Sequence, residues 1–444
     1  MRMSSSQKLL IVIFVLLLGV QATFTQASTN ALGSISETVL PNGLKVIVKK
    51  REGGATVAGG LFIRGGVGNS EGTKSGIENL TLMLATEATK KYPRSVLRRE
   101  LSKFGSFLDG SAGLDYSAIS FASTKEGFET TWSIFADSVM APSLTQGDLE
   151  IVKEKLIVGL RQRGVGPDSY LDVMQERYVY AGHPYGQFPA GTVESVKGIE
   201  IADVIKKQAE LFKGARLVLI VVGDVEPQAI FEKARTAFGT LPKGVDDRKA
   251  AQAVTFSKPS VEIEPKDTET TYVRGVFAAA PLGSADYHAM EVAVAILQSR
   301  VYQEVRVKRN LSYAPNAEME DNAANTANIY VTSTSPSEAV AVMLREIETL
   351  KTEEVGGDEF SGIPSYFLTT YFVKLETNAA QVGELARYEL FGGGWRKSGE
   401  FIKKINSVTP SEVKRVASTY MRNIKFLVIG KSSGIDKPLL LNTK

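Results

Sequence analysis

The sequence predicts a duplicated α+β fold: two homologous domains, each a mixed or antiparallel β-sheet with helices packed on one face. Three observations predict it. At 444 residues the chain exceeds the length at which one hydrophobic core usually stops growing. An order of strand, glycine-containing turn and helix occurs twice along it. Within each copy, strands and helices mix without the strict alternation that a doubly wound parallel sheet requires.

Arg2 and Lys8 precede an apolar run at 9–20, and Thr25-Gln26-Ala27 then satisfies the small-residue rule of a cleavage site. Residues 1–27 are therefore expected to be a secretory signal peptide, with the mature chain starting near Ser28. The run is shorter than the roughly 20 apolar residues a spanning helix needs, which disfavours an uncleaved anchor.

The first domain is expected over 35–240. Its strand VAGGLFIRGG (57–66) is followed by a turn at Gly68-Asn69-Ser70 and a helix over 75–89. A second strand, YSAISFAST (116–124), leads into a helix over 126–140. A third, RLVLIVVGD (216–224), follows a helix near 202–212. Residues 241–260 are polar, poor in periodic apolar positions and flanked by prolines, and read as a linker. The second domain, 261–436, repeats the pattern with YVRGVFAAAP (272–281), a helix over 286–297, ANIYVTSTSP (327–336), a helix over 337–350, and KFLVIGK (425–431). Thr409-Pro410-Ser411-Glu412 opens the helix before that last strand, with proline in the first turn.

Composition narrows the chemistry. The chain is 43% hydrophobic and 23% charged, ordinary for a folded globular protein. A formal charge of +3 is too small to imply nucleic acid. The one dense basic stretch, 90–103, has helical spacing and reads as a solvated face. Cysteine is absent, which excludes disulfides, thiolate metal ligands, a cysteine nucleophile and lipidation of a cysteine at the cleavage site. His183 and His288 are the two histidines, far apart in sequence. His183-Pro184-Tyr185-Gly186 reads as a turn, His288 as a satisfied core or interface histidine, and Phe391-Gly392-Gly393-Gly394-Trp395 as a helix-ending turn without the Lys-Ser/Thr of a phosphate loop.

The opening TVLPNGLKVIVKK (38–50), the GGLFIRGG strand, the helix after it, the HPYG turn and the duplication together resemble the insulinase and pitrilysin family of zinc peptidases. The resemblance covers almost the whole mature chain. It is strongest to the single-length, two-domain members that work as pairs, including bacterial periplasmic proteins and mitochondrial processing peptidase. In active members a helix carries H-x-x-E-H: histidines at i and i+4 hold zinc from one helix face, and the glutamate at i+3 is the general base. A glutamate from a later helix is the third ligand.

With Gly76 aligned to the glycine before that motif, Asn79 and Met83 occupy the histidine positions and Leu82 the base position. Leu160 falls at the third ligand. None of the four can do the family's zinc chemistry, so the resemblance implies no metal and no catalytic residue in this chain alone. Leu149, Val152, Leu156 and Leu160 form a helical stripe, and Leu160 is expected to pack on Leu82 and Met83. Glu78 and Glu87 lack the further convergent ligands that a hard cation needs.

RVKRNLSYA (306–314) is similar to the family's Arg-Glu-Lys-Arg-Gly-Leu-Ala-Tyr segment, with Asn310 replacing glycine. There, the resemblance implies, Arg306 and Tyr313 bind substrate backbone and stabilise the oxyanion. The implied function is that of a non-catalytic subunit of an exported, periplasmic zinc metallopeptidase. It would pair with an H-x-x-E-H-bearing partner that holds the only zinc and act with it on peptide substrates. The alternative is a stand-alone peptide-binding or envelope scaffold protein without hydrolysis, holding extended chains by strand addition.

Overall fold

The computed structural model describes residues 34–69, 74–247, 251–431 and 434–443. The signal segment, and Ser70 of the predicted turn, lie outside the described residues. Among the described residues, no helix is long and apolar enough to cross a membrane.

The first sheet contains β1 (Ser34–Val39), β2 (Lys45–Lys50), β3 (Thr56–Arg64), β4 (Phe107–Ala112), β5 (Tyr116–Thr124) and β6 (Leu217–Gly223), in the order β1-β2-β6-β3-β5-β4. Its connections carry α1 (Ile77–Ala85), α2 (Arg94–Lys103), α3 (Phe128–Met140), α4 (Gln146–Gln162), α5 (Pro167–Met174) and α6 (Ile201–Leu211), and α7 (Pro227–Phe238) follows β6. The second sheet contains β7 (Ser260–Pro265), β8 (Thr271–Ala278), β9 (Asn316–Met319), β10 (Thr326–Ser333) and β11 (Lys425–Gly430), in the order β7-β11-β8-β10-β9. Its helices include α8 (Tyr287–Val301), α9 (Pro336–Thr352), α10 (Ile363–Lys374), α11 (Asn378–Leu390) and α12 (Pro410–Tyr420).

Without the edge strand β1, the two sheets have one topology. β2 runs parallel to β6 as β7 does to β11, and every other neighbouring pair is antiparallel. The sequence repeat is therefore a structural repeat.

Each sheet carries helices of its own half on one face. In the first, Val48, Leu61, Phe121 and Leu219 pack against Trp132 and Phe135 of α3 and Ile230 and Phe238 of α7. The opposite face is covered as well, by an element from the other half. Ile47, Phe62, Val218 and Ile220 pack against Val382, Leu385, Ala386 and Leu390 of α11. The exchange is reciprocal, because Val276, Leu427 and Ile429 of the second sheet pack against Leu171 and Met174 of α5 with Tyr180 and Tyr185. This explains why β6 reads as an unbroken apolar run: all seven of its residues are buried, which alternating strands with one wet face never show.

Polar contacts close the seam between the halves. Tyr185 Oη donates to Asp115, the Ala324 amide donates to Tyr185 Oη at 3.0 Å, and the Ala323 amide donates to Asp115 at 2.8 Å. The HPYG turn thus serves the joint between the halves. The segment expected as a linker is also held down: the carbonyls of Pro242 and Lys243 accept from Gly214 and Ala215, and Val254 and Phe256 pack against the second sheet.

Candidate functional site

Helix α1 begins at Gly76, whose φ of +87° favours glycine and where a Cβ would lie 2.5 Å from the Ala190 carbonyl oxygen. It also lies hard against β4, since a Cβ on Gly110 would fall 2.3 Å from the Leu82 carbonyl oxygen. Both glycines let backbones approach closely enough to fix the helix where the resemblance places a metal site.

Asn79 and Met83, one turn apart, do meet. Asn79 Nδ2 donates to the Met83 sulfur at 3.3 Å, and its Oδ1 accepts from the Ala112 amide of β4 at 3.0 Å. Leu82 is fully buried in the core of the first sheet. On the other flank of α1, Leu80 and Leu84 are buried against Leu149 and Val152 of α4, with Met83 and Leu156 packed at the margin.

Leu160 departs from expectation. It is only half-buried and joins none of the apolar clusters, so it does not pack on Leu82. The reason is geometric: Leu82 points at the sheet, whereas the stripe of α4 meets the opposite flank of α1 and ends at Leu156.

The donor set does not fit zinc. Asn79 has both ends of its amide engaged, Leu82 offers no donor atom, Met83 offers a thioether and Leu160 nothing. Among the described residues no group of three His, Asp or Glu side chains converges. The neighbouring carboxylates have other work. Glu78 is buried and accepts from Ser117 Oγ at 2.5 Å, and burial raises its pKa above the usual carboxylate range. Glu87 gathers Arg94 at 2.5 Å, Arg98 at 2.6 Å and Lys155 at 3.4 Å.

In the second half, α8 continues into a wider turn, Tyr302–Lys308, that carries Arg306. The chain then reverses at Asn310, which adopts φ +52° where the resembling segment has glycine. Asparagine tolerates that region better than most residues, so the substitution keeps the turn. Leu311 packs onto the core beyond it, and its carbonyl accepts from Ser333 Oγ at 2.6 Å.

The reversal folds Tyr313 back on Arg306. The guanidinium donates to the Tyr313 carbonyl oxygen and stacks 3.9 Å from the ring centroid. Tyr313 is 81% exposed. Beside the pair, Glu304 binds Lys308 at 2.5 Å and also Arg309; these bonds hold its carboxyl below its ordinary pKa. The structure therefore brings Asn79 to Met83 and Arg306 to Tyr313. No hydrogen bond, ion pair or ring contact joins one pair to the other.

Two groups escaped the sequence reading. Glu291, Asp321 and Arg387 form a half-buried cluster around the buried Tyr287: Tyr287 Oη lies 2.6 Å from Glu291 and 2.9 Å from Asp321, and Arg387 binds Asp321 and, at 2.9 Å, Glu384. Burial pushes Glu291 up to about 7. The only signal was a charged residue inside the apolar run of α8. His288, next to this cluster, was expected to be satisfied. Its Nε2 is buried without a partner, and burial, with Lys404 nearby, depresses its pKa to about 4.

Family models match both halves of the chain. Residues 45–163 match the family model described as Insulinase (Peptidase family M16), and 198–363 match the one described as Peptidase M16 inactive domain. The non-peptidase homolog YmxG of Helicobacter pylori is 21% identical over 83% of this chain and 88% of its own length. The mitochondrial-processing peptidase subunit beta of Blastocladiella emersonii is 22% identical over 88% of each. A crystal structure of a peptidase M16 inactive domain from Pseudomonas fluorescens superposes with a TM-score of 0.81 at 18% identity, over 90% of this chain and 98% of that one. Matched by family models in both halves, the chain belongs to the insulinase family, peptidase family M16.

Proposed function

We propose that this chain is the non-catalytic subunit of an exported, periplasmic insulinase-family peptidase, and that it lends Arg306 and Tyr313 to the peptide site of a zinc-bearing partner. One observation carries the reading: the Arg306–Tyr313 pair is preassembled and presented to solvent, while the α1 site is closed by packing. A guanidinium has five N–H donors, and the bond to the Tyr313 carbonyl uses one, so others remain for a peptide carbonyl or a developing oxyanion. Stacking on Tyr313 fixes the plane in which they point.

Two further features support a partner. A relative of near-equal length is named as a subunit. Helix α10 exposes Tyr366 (52%), Leu368 (43%), Phe372 (46%) and Val373 (67%), an apolar concentration that a solitary soluble chain would ordinarily cover.

The first test is affinity capture of the tagged mature chain from its native envelope, with mass spectrometry of proteins recovered in equal amount. A partner of similar length carrying H-x-x-E-H is expected. In that complex, replacing Arg306 and Tyr313 together by alanine is expected to lower kcat by about 10²- to 10³-fold, the range for loss of an oxyanion donor. Unchanged activity with intact association would sink the proposal, and capture of peptides alone would favour a stand-alone binding protein.

A further inference from the structure

A second site lies between the first sheet and the helix it borrows. A cavity of about 260 Å³ opens there, lined by Lys49, Gln381, Leu385, Trp395 and Tyr371 among others. Lys49 sits on β2, two residues beyond Ile47 on the face that α11 covers, and its register partners are the apolar Ile35 and Val222. A valine or isoleucine would suit that place. The lysine is nevertheless 5% exposed, and among the described residues its ammonium forms no hydrogen bond or ion pair.

The charges around it do not neutralise it. Arg51 has the same sign, and Glu384, the carboxylate that acts on Lys49, is bonded to Arg387 at 2.9 Å. Burial, with Arg51 adding to it, lowers the Lys49 pKa to about 8, which leaves the group a cation at neutral pH. Arg396, also on the cavity wall, has its guanidinium on Glu37 at 2.7 Å. Gln381 shows a second deficit behind the cavity wall. It is 5% exposed, its Nε2 donates to the Leu375 carbonyl at 2.7 Å, and its Oε1 is buried with no partner.

One cavity thus presents an unpaired cation on a nine-tenths buried side chain between aromatic and aliphatic walls, with an unpaired acceptor sealed behind them. Buried groups of this kind are costly to keep and are ordinarily satisfied. We propose that the cavity binds a small aromatic carboxylate. Its carboxylate meets the Lys49 ammonium, and its ring lies against Trp395, Tyr371 and Leu385. This site is independent of the Arg306–Tyr313 pair and of any partner chain.

Indole-3-acetate has both features and is the probe, with tryptamine, which exchanges the carboxylate for an ammonium, as the control. Titration calorimetry on the full mature chain should show saturable one-to-one binding of indole-3-acetate and none of tryptamine. Lys49→Met, which keeps the stem and removes the charge, should weaken binding at least tenfold without lowering the urea midpoint. A readout that needs no variant is the Lys49 ammonium itself: its NMR-measured pKa should rise when indole-3-acetate is added. Absence of saturable binding, equal binding by Lys49→Met and wild type, or an unmoved Lys49 pKa would each overturn the proposal.

Discussion

Arg306 stacks its guanidinium 3.9 Å from the centroid of the Tyr313 ring while donating a hydrogen bond to the carbonyl of that same residue. The pair is joined by a chain reversal whose pivot is Asn310, at φ +52°. A β-branched residue there must pay the steric penalty of the left-handed region. Asn310→Val should therefore cost about 1–3 kcal/mol, while Asn310→Gly should be close to neutral. Urea unfolding of the two variants measures this, and equal midpoints would show that the pivot bears no strain.

Asn79 is a structural bridge from α1 to β4. Asn79→Ala leaves the Ala112 amide without its acceptor and should lower stability by about 1–3 kcal/mol. Leu82→Glu, which restores the family's base, should be worse, at about 3 kcal/mol or more, because it buries a carboxyl in the core of the first sheet. Chemical denaturation orders the two. A Leu82→Glu protein as stable as wild type would mean that the α1 position is open to polar groups after all.

The exchanged helices make each half depend on the other. Leu385→Ala in α11 and Leu171→Ala in α5 should each cost about 2–5 kcal/mol, although each touches the sheet of the opposite half. Both variants should still unfold in one transition seen alike by fluorescence and circular dichroism. Two separated transitions would show that the halves are independent.

Glu291 sets a pH dependence. Its folded pKa is raised to about 7, above the ordinary carboxyl value of 4.5, so the folded protein holds the proton more tightly. That contribution is fully present below about pH 4.5 and is lost as pH rises through 7, a change of the order of 3 kcal/mol by pH 8. Glu291→Gln, uncharged throughout, should show a shallower fall in urea midpoint from pH 5 to pH 8 than wild type. Parallel profiles would refute the assignment.

The duplication was legible because strand and helix periodicities are local: β3 and β8, or β6 and β11, announce themselves within ten residues. The continuous apolar run of β6 also signalled two covered faces, but nothing in its residues says which helix supplies the second cover. The apolar residues of α11 look the same whether they meet their own sheet or its twin. Asn79, Leu82 and Met83 could be placed because a motif with fixed spacing frames them. Leu160 was misplaced because a stripe shows which residues share a face, and not where the neighbouring helix ends. Lys49 and Glu291 were invisible for a related reason, since a single charge in an apolar run acquires its meaning only from elements distant in sequence.

The exchange also has a consequence for the order in which the molecule can be made. The first sheet has its last strand once Gly223 has been synthesised, yet the helix that covers its outer face begins at Asn378. A growing chain that has left the ribosome as far as the linker carries a finished sheet with an apolar surface and nothing to place on it. Such a nascent chain should need a holding chaperone until synthesis nears its end, and truncations anywhere between the two halves should aggregate rather than fold.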